Sequence, residues 1–197
     1  MNKTAKKFDR KTRRTQIVQA ALRIIGSRGL GALTTAAIAK EVGISEATLY
    51  RHFKNKEEIL NVMTEQIGAG LEENLKTVTA GSPVARLKEI YRLHFEYIEK
   101  NDGIPRLVFS EELHMRLPHI RKKLLEKVTA YSCKLSEIIK KGQKDGLIKE
   151  GVNSQAASMI LIGMVQVTTL KWSLSGFSFS LVDEGMKLWK DYEKCLK

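Results

Sequence analysis

Side chains that could contact a charged ligand are concentrated near the start of this chain of 197 residues. Residues 1–60 hold 13 Lys and Arg against 5 Asp and Glu, a net charge of +8, whereas the other 137 residues carry +4. Cations at this density favour a polyanion as partner, because contacts to phosphates release condensed counterions. An ordinary solvated surface is the alternative. Seven cations lie before the first predicted helix or in its first turn and could form an arm along the phosphates or in a minor groove: Lys3, Lys6, Lys7, Arg10, Lys11, Arg13 and Arg14.

Apolar residues recur at the helical period along the chain, and no segment alternates in the way that a strand does. The pattern predicts an all-α fold of about nine helices. Caps, glycines and prolines set their predicted limits: 11–28, 35–42, 45–52, 55–75, 83–101, 105–115, 118–145, 154–174 and 181–196. The fourth helix is long enough to join two domains, which we expect at residues 1–55 and 56–197.

Two short predicted helices, 35–42 and 45–52, are joined by Gly43, Ile44 and Ser45. Glycine allows the left-handed turn of a helix-turn-helix, whose second helix is presented to the major groove, although a generic helical hairpin would look similar. Residues at fixed offsets make the motif specific: Leu33-Thr34-Thr35, Ile38-Ala39, Val42-Gly43-Ile44-Ser45, Thr48-Leu49-Tyr50, His52-Phe53, Lys54-Asn55-Lys56-Glu57 and Leu60. Over residues 17–60 this order resembles the signature of the TetR family of transcriptional regulators.

The resemblance implies an N-terminal three-helix DNA-binding module. Matched position by position, Thr48, Tyr50 and His52 correspond to family residues that meet DNA, and their hydroxyl, aromatic and imidazole groups suit phosphates, base edges and thymine methyls. Lys56 corresponds to a lysine at the start of the fourth helix, where its charge and the helix N-terminus can hold a phosphate. The full set that we expect at DNA is Thr34, Thr35, Ser45, Glu46, Ala47, Thr48, Tyr50, Arg51, His52, Lys54 and Lys56.

The predicted recognition helix offers few side chains that could read bases. Glu46 could accept a hydrogen bond from a cytosine amino group, or it could simply favour the positive helix N-terminus, which we prefer. Thr34 could serve as a helix cap alone. The sequence therefore does not give the operator.

The resemblance also implies a C-terminal ligand-binding and dimerisation domain. A cavity of this type is apolar with a few placed polar groups, so the candidates are His94, Tyr97, Phe109, His114, Met115 and Met164. The helix 154–174 is apolar around most of its circumference, and aromatic residues near it are of the kind enriched at interfaces. We expect the dimer interface, rather than an ordinary monomer core, to include Trp172, Leu188, Trp189 and Tyr192.

Several other classes of protein find no support in the sequence. The longest apolar stretch, residues 159–165, is far below the roughly 18 residues of a membrane span, and no signal peptide follows the basic start. Cys133 and Cys195 form no disulfide framework, and Glu111, His114 and His119 lack a fourth metal ligand. Phosphate loops, nucleophile elbows and paired acids and bases are not found. We expect a cytoplasmic protein without metal or cofactor that is not an enzyme.

The resemblance implies a homodimeric regulator of transcription with double-stranded DNA as its partner. We expect a repressor of a palindromic operator, released by a small, lipophilic effector whose identity the sequence does not give. The alternative is a DNA-binding scaffold of the same fold that acts through a protein partner without an effector. A sealed apolar cavity would favour the regulator, and a collapsed core with an exposed apolar patch would favour the scaffold.

Overall fold

A computed structural model describes residues 9–79 and 81–197, and this part of the chain is all-α. It contains ten α-helices and one short 3-10 turn, Leu30–Ala32. The helices are α1 Arg10–Arg28, α2 Thr35–Val42, α3 Glu46–Tyr50, α4 Lys56–Thr77, α5 Pro83–Glu99, α6 Gly103–Val108, α7 Glu111–Arg116, α8 Pro118–Lys144, α9 Ser154–Leu174 and α10 Leu181–Leu196.

The segment predicted as one helix, residues 105–115, forms two helices, so the described residues contain ten α-helices where about nine were predicted. α6 ends at Val108, and Ser110 caps α7 because its Oγ accepts a hydrogen bond from the Leu113 amide at 3.2 Å. Phe109 lies between the two helices and is 41% exposed. A capping serine within an apolar helical pattern therefore starts a new helix here.

The basic N-terminal run also differs from the prediction. Asp9 caps α1 by accepting from the Thr12 amide at 2.8 Å, so the helix begins at Arg10. The four later cations, Arg10, Lys11, Arg13 and Arg14, are therefore helical and do not form an extended arm. The three earlier ones, Lys3, Lys6 and Lys7, lie outside the described residues.

The buried apolar side chains form two clusters. One joins α1, α2 and α3 with the first half of α4, with α6 and α7, and with the start of α8. The other joins the end of α4 with α5, α8, α9 and α10. α4 thus enters both clusters, contributing Ile67 to the first and Leu75 to the second.

The backbones of α1 and α6 approach each other closely where glycines lie at the contact. A Cβ atom at Gly103 would be 2.2 Å from the carbonyl oxygen of Leu22, and one at Gly26 would be 2.4 Å from Asp102 Oδ1. Ile104 and Leu107 extend from α6 into the first cluster. The absence of two side chains therefore lets α6 dock directly on the first helix of the DNA-binding module.

α9 is long and apolar enough, by length and composition alone, to cross a membrane. The sequence has no continuous apolar stretch of this length, but the mean hydropathy of an 18-residue segment of α9 is high enough. A core helix of a soluble protein passes the same test, and 44% of this window is buried inside the subunit. The observation is weak evidence for a membrane span.

We predict that Gly103→Ala destabilises the fold, because the added methyl group would collide with backbone rather than with a movable side chain. Overpacking of this kind costs about 2 kcal/mol of the free energy of unfolding, measurable by urea denaturation. Gly31→Ala is the control, since a Cβ atom there meets nothing within 4 Å. Equal stability of the two variants would contradict the close α1–α6 contact.

Candidate DNA interface and ligand cavity

None of the eleven residues predicted to meet DNA is buried in the structure. Thr34, Ser45, Glu46, Ala47, Tyr50, Arg51, Lys54 and Lys56 are exposed, and Thr35, Thr48 and His52 are partly exposed. They lie on α2, on α3 and its ends, and at the start of α4. The set is therefore available to a partner, and its contact with DNA remains a prediction.

Side-chain caps and a left-handed glycine set the geometry of this module. Thr34 accepts from the Ala37 amide at 3.0 Å, and Ser45 accepts from the Thr48 amide at 3.2 Å. Gly43 takes a φ of 72°, the left-handed conformation predicted for the turn. The caps begin α2 and α3, and the glycine turns the chain between them.

A chain of hydrogen bonds links α2 to α3 on the exposed surface. The Tyr50 hydroxyl donates to Thr35 Oγ1 at 3.3 Å, and Thr35 Oγ1 donates to Glu46 Oε2 at 2.8 Å. Tyr50 nevertheless remains 51% exposed. The Glu46 carboxylate therefore has a hydrogen-bond partner within the protein.

Arg14 joins α1 to the residues that follow α3, a role that the sequence analysis missed. Its Nη2 lies 3.0 Å from Glu58 Oε1, its Nη1 donates to the His52 carbonyl, and its guanidinium lies 3.9 Å from the centre of the Phe53 ring. Glu58 Oε2 also accepts from the Lys54 amide at 2.7 Å. The sequence held one signal for this contact, the capping-box residue Glu58. One of its carboxylate oxygens is enough for capping, so the other can bind a cation.

His52 is neutral in this environment. Burial lowers the pKa of His52 first, and the charges of Arg10, Arg13 and Arg14 lower it further. Its Nδ1 is buried without a hydrogen-bond partner among the described residues. The imidazole can therefore offer DNA a neutral donor or acceptor but adds no charge to the surface.

Lys56 is the first residue of α4 and is exposed, as the predicted phosphate contact requires. The adjacent Glu57 lies 3.0 Å from His119 Nε2 on α8. Asn55 Oδ1 accepts from the Glu58 amide at 2.8 Å and so fixes the start of the helix. The lysine and the first-turn amides of α4 can thus act together on an anion.

An apolar cavity of about 120 Å³ lies between α4, α5, α6, α8 and α9. It follows α4 from Thr64 to Glu72, a rise of about 12 Å. Its apolar wall includes Ile67, Leu71, Ile98, Val108, Leu124 and Val165. Such a cavity suits a ligand with an extended apolar part.

Three of the six predicted pocket residues line this cavity, namely His94, Tyr97 and Phe109. The other three do not, and the prediction is corrected for them. His114 and Met115 belong to the separate helix α7, where Met115 is 75% exposed. Met164 packs partly buried against the C-terminal core cluster.

Two glycines of α4 shape the cavity and were overlooked in the sequence. A Cβ atom at Gly68 would lie 2.3 Å from Cδ of Lys127, and one at Gly70 would lie 2.5 Å from Cζ of Tyr97. The lysine stem and the tyrosine ring therefore lie directly on the helix backbone. The signal was a pair of glycines, spaced by Ala69, in a helix whose other residues are good helix formers.

The predicted dimer-interface aromatics lie inside the subunit, which corrects that prediction. Trp172, Trp189 and Tyr192 are each at most 5% exposed, and the Trp189 ring packs 5.7 Å from that of Tyr91. Leu188 alone among the four is exposed, at 41%. The aromatics hold α10 against α5 and α9 and present no surface to a second copy.

A different apolar stripe is exposed along α9. Its large members recur at spacings of three, four or seven residues: Ile160, Val167, Leu170 and Leu174. Val167 is 68% exposed and Leu174 is 80% exposed. Gly163 lies in the same stripe, and a Cβ atom there would meet nothing within 4 Å.

In the described residues, no group of three or more His, Cys, Asp and Glu could hold a metal ion.

A helix-turn-helix module joined to a helical domain that encloses a cavity is the architecture of a class of DNA-binding regulators. Residues 17–63 match the family model described as bacterial regulatory proteins, tetR family. Residues 80–173 match the model of a tetracyclin repressor-like C-terminal domain. The chain belongs to the TetR family, as the motif predicted.

Relatives with known functions cover most of the chain. A fatty acid metabolism regulator protein of Bacillus subtilis (strain 168) is 28% identical over 171 residues, which is 85% of this chain and 87% of the relative. The nucleoid occlusion factor SlmA of Marinomonas sp. (strain MWYL1) is 28% identical over 156 residues, which is 78% of this chain and 79% of that relative.

A crystal structure with the same fold contains a bound ligand. It is the transcriptional regulator FadR from Bacillus subtilis in complex with stearoyl-CoA, with a TM-score of 0.78 and 23% identity. The match covers 93% of this chain and 99% of the other. The chain is a helical DNA-binding regulator of transcription.

We predict that Lys56→Ala weakens binding to all DNA sequences to a similar extent. Loss of one phosphate contact per site should lower the slope of log affinity against log salt by about one unit. Fluorescence anisotropy over a salt series measures that slope. Lys76→Ala is the control, because Lys76 is exposed near the other end of the same helix. A slope unchanged by Lys56→Ala would contradict the contact.

We predict that Glu58 makes the module acid-sensitive. The Lys54 amide and then Arg14 lower the pKa of Glu58, so its stabilisation is present above its usual pKa of 4.5 and is lost as the pH falls through the lower folded value. Glu58→Gln should lower the free energy of unfolding by about 1 kcal/mol at neutral pH. In a series of denaturation curves at falling pH, the variant should lose less stability in acid than the wild type does. Glu41→Gln, which breaks the more exposed pair with Arg23, is the control. Identical acid limbs in wild type and Glu58→Gln would argue against the linkage.

Proposed function

We propose that this TetR-family regulator is a homodimeric repressor that dissociates from its operator when an acyl ligand fills the apolar cavity. The observation that carries the proposal is the cavity itself, bounded by helices of both core clusters. A two-fold dimer presents two recognition helices to successive major grooves, so the operator should be a palindrome or near-palindrome.

The chemistry next to the cavity favours a ligand with an anionic head. A polar groove adjoins it and shares Glu72 and Lys134 with the cavity wall. Four cations line this groove against two carboxylates: Lys76, Arg86, Lys134 and Lys141 against Glu72 and Glu137. An acyl chain in the cavity and phosphates in the groove would describe an acyl-CoA, the ligand class of the similar FadR structure.

The switch is proposed to act through α6 and α4. Ile104 belongs to the core of the DNA-binding module and also lines the cavity, together with Pro105 and Val108 of the same helix. A ligand that moves α6 must move α1, because their backbones are in contact near Gly103. α4, which begins at Lys56 and lines the cavity further along, would follow the same motion.

Action as a scaffold remains the second candidate, because a nucleoid occlusion factor is as similar in identity as the metabolic regulator. The exposed stripe of α9 could then contact a protein partner. The apolar cavity supports the ligand-responsive regulator instead, because the core between these helices is not collapsed. An operator complex that no acyl-CoA releases, but that a protein partner joins, would favour the scaffold.

We predict that Val167→Glu dissociates the dimer, because it places a charge in the centre of the exposed α9 stripe. Sedimentation velocity should give a monomer with an unchanged helical spectrum and without tight operator binding. Leu125→Glu on α8 is the control, since Leu125 is similarly exposed at 66%. A Val167→Glu protein that remains dimeric would show that the interface lies outside the α9 stripe. Trp189, at 1% exposure, is unsuitable for this test.

The proposed function is tested on an operator selected from random DNA with the full-length protein. Dodecanoyl-CoA and stearoyl-CoA should release the protein from that operator, whereas free CoA should leave the complex intact. A selected site without two-fold symmetry would contradict the dimer model. A complex that persists at saturating acyl-CoA would contradict the acyl ligand.

A further inference from the structure

One buried hydroxyl in the cavity wall has no hydrogen-bond partner. Thr169 on α9 is 2% exposed, lines the cavity, and its Oγ1 bonds to no described atom. Helical threonines usually donate to the carbonyl four residues earlier, as Thr168 Oγ1 does to Met164 at 2.7 Å and Thr64 Oγ1 does to Leu60 at 2.9 Å. Thr169 therefore departs from the pattern of its neighbour on the same helix.

Two further polar side chains line the same cavity. The His94 and Tyr131 rings are 5.3 Å apart and meet edge to face at 83°. Neither the imidazole nor the phenol hydroxyl has a hydrogen-bond partner among the described residues. Burial lowers the pKa of His94 to about 4 and raises the pKa of Tyr131, so both groups are neutral donors and acceptors.

Such a combination is costly in an empty apolar cavity. Buried polar groups are almost always satisfied by protein or by water, because an unmade hydrogen bond leaves the desolvation of the group uncompensated. A buried threonine hydroxyl without a partner, on the same cavity wall as two ring groups that make no hydrogen bond to described residues, is explained if a ligand supplies the partner. The partner must carry a polar atom on or beside an apolar chain.

We propose that His94, Tyr131 and Thr169 form a polar subsite that binds a neutral oxygen function, a hydroxyl or a carbonyl, on an otherwise apolar ligand. The subsite determines which acyl derivatives the cavity accepts. The inference rests on the proposed function in one respect, namely that an acyl or alkyl ligand enters this cavity.

A carboxylate fits this subsite poorly. The lysines of the cavity wall are already paired, Lys127 with Glu65 at 2.7 Å and Lys134 with Glu72 at 3.5 Å. A carboxylate at Thr169 would be buried beside a neutral imidazole with no cation to compensate its desolvation. A neutral oxygen needs only the hydrogen bonds that the three side chains can offer.

The test compares Thr169→Val with Thr168→Val, two nearly isosteric changes on adjacent buried residues. The probes are 1-decanol, decanoate and 1-chlorodecane, which share a chain length and differ in the end group. Calorimetry with the full-length protein measures affinity, and thermal denaturation measures stability. Thr169→Val should lower the affinity for 1-decanol about tenfold and leave the affinity for 1-chlorodecane unchanged. Thr168→Val should leave both affinities unchanged but lower the melting temperature, because it loses a bonded hydroxyl.

The outcomes separate the subsite from the proposed function. Equal affinity of wild type and Thr169→Val for 1-decanol, with all three probes bound, would overturn the subsite and leave the acyl-ligand cavity standing. A loss of decanoate affinity in Thr169→Val as large as the loss for 1-decanol would overturn the choice of a neutral group. No binding of any probe by a protein that still binds its operator would overturn the acyl ligand, and the subsite with it.

Discussion

The backbones of α1 and α6 touch, and this contact joins the DNA-binding module to the helices around the cavity. Gly26 and Gly103 carry no side chain at the crossing, so the two helices cannot move apart without losing the packing around it. One side of α6 supplies Leu107 to the core of the DNA-binding module, and the other supplies Pro105 to the cavity. In the proposed function, a change in the cavity would reach α1 as a shift of a whole helix, because close-packed interiors rearrange in discrete steps.

α4 provides the second mechanical connection, and polar contacts fix its end near DNA. Arg14 of α1 contacts Glu58 of α4 and the His52 carbonyl after α3, so the three elements move together. Further along, α4 has glycines at positions 68 and 70, and side chains of neighbouring helices pack against its backbone there and cover the cavity. In the proposed function, a ligand that displaces these neighbours would act on the same helix that is predicted to present Lys56 to phosphate.

The sequence predicted the local structure better than the long-range packing. The limits of α2, α9 and α10 agree with the prediction, because capping residues and turn glycines are local signals. The break at Phe109 was missed, since a capping serine competes with an otherwise continuous apolar period. Trp189 was assigned to the wrong surface, because composition does not say whether an aromatic side chain faces its own core or a partner. Tyr131 and Thr169 were missed for the same reason: only the fold brings α8 and α9 around one cavity.

Ligand and operator are proposed to compete through two arrangements of α6 and α4, so each must weaken the binding of the other by the same factor. Calorimetric titration of dodecanoyl-CoA into the protein, with and without saturating operator, measures both affinities for the ligand. If the ligand weakens operator binding about a hundredfold, operator must weaken ligand binding by the same factor, a coupling of about 2.7 kcal/mol. Equal ligand affinities in the two titrations would contradict the account.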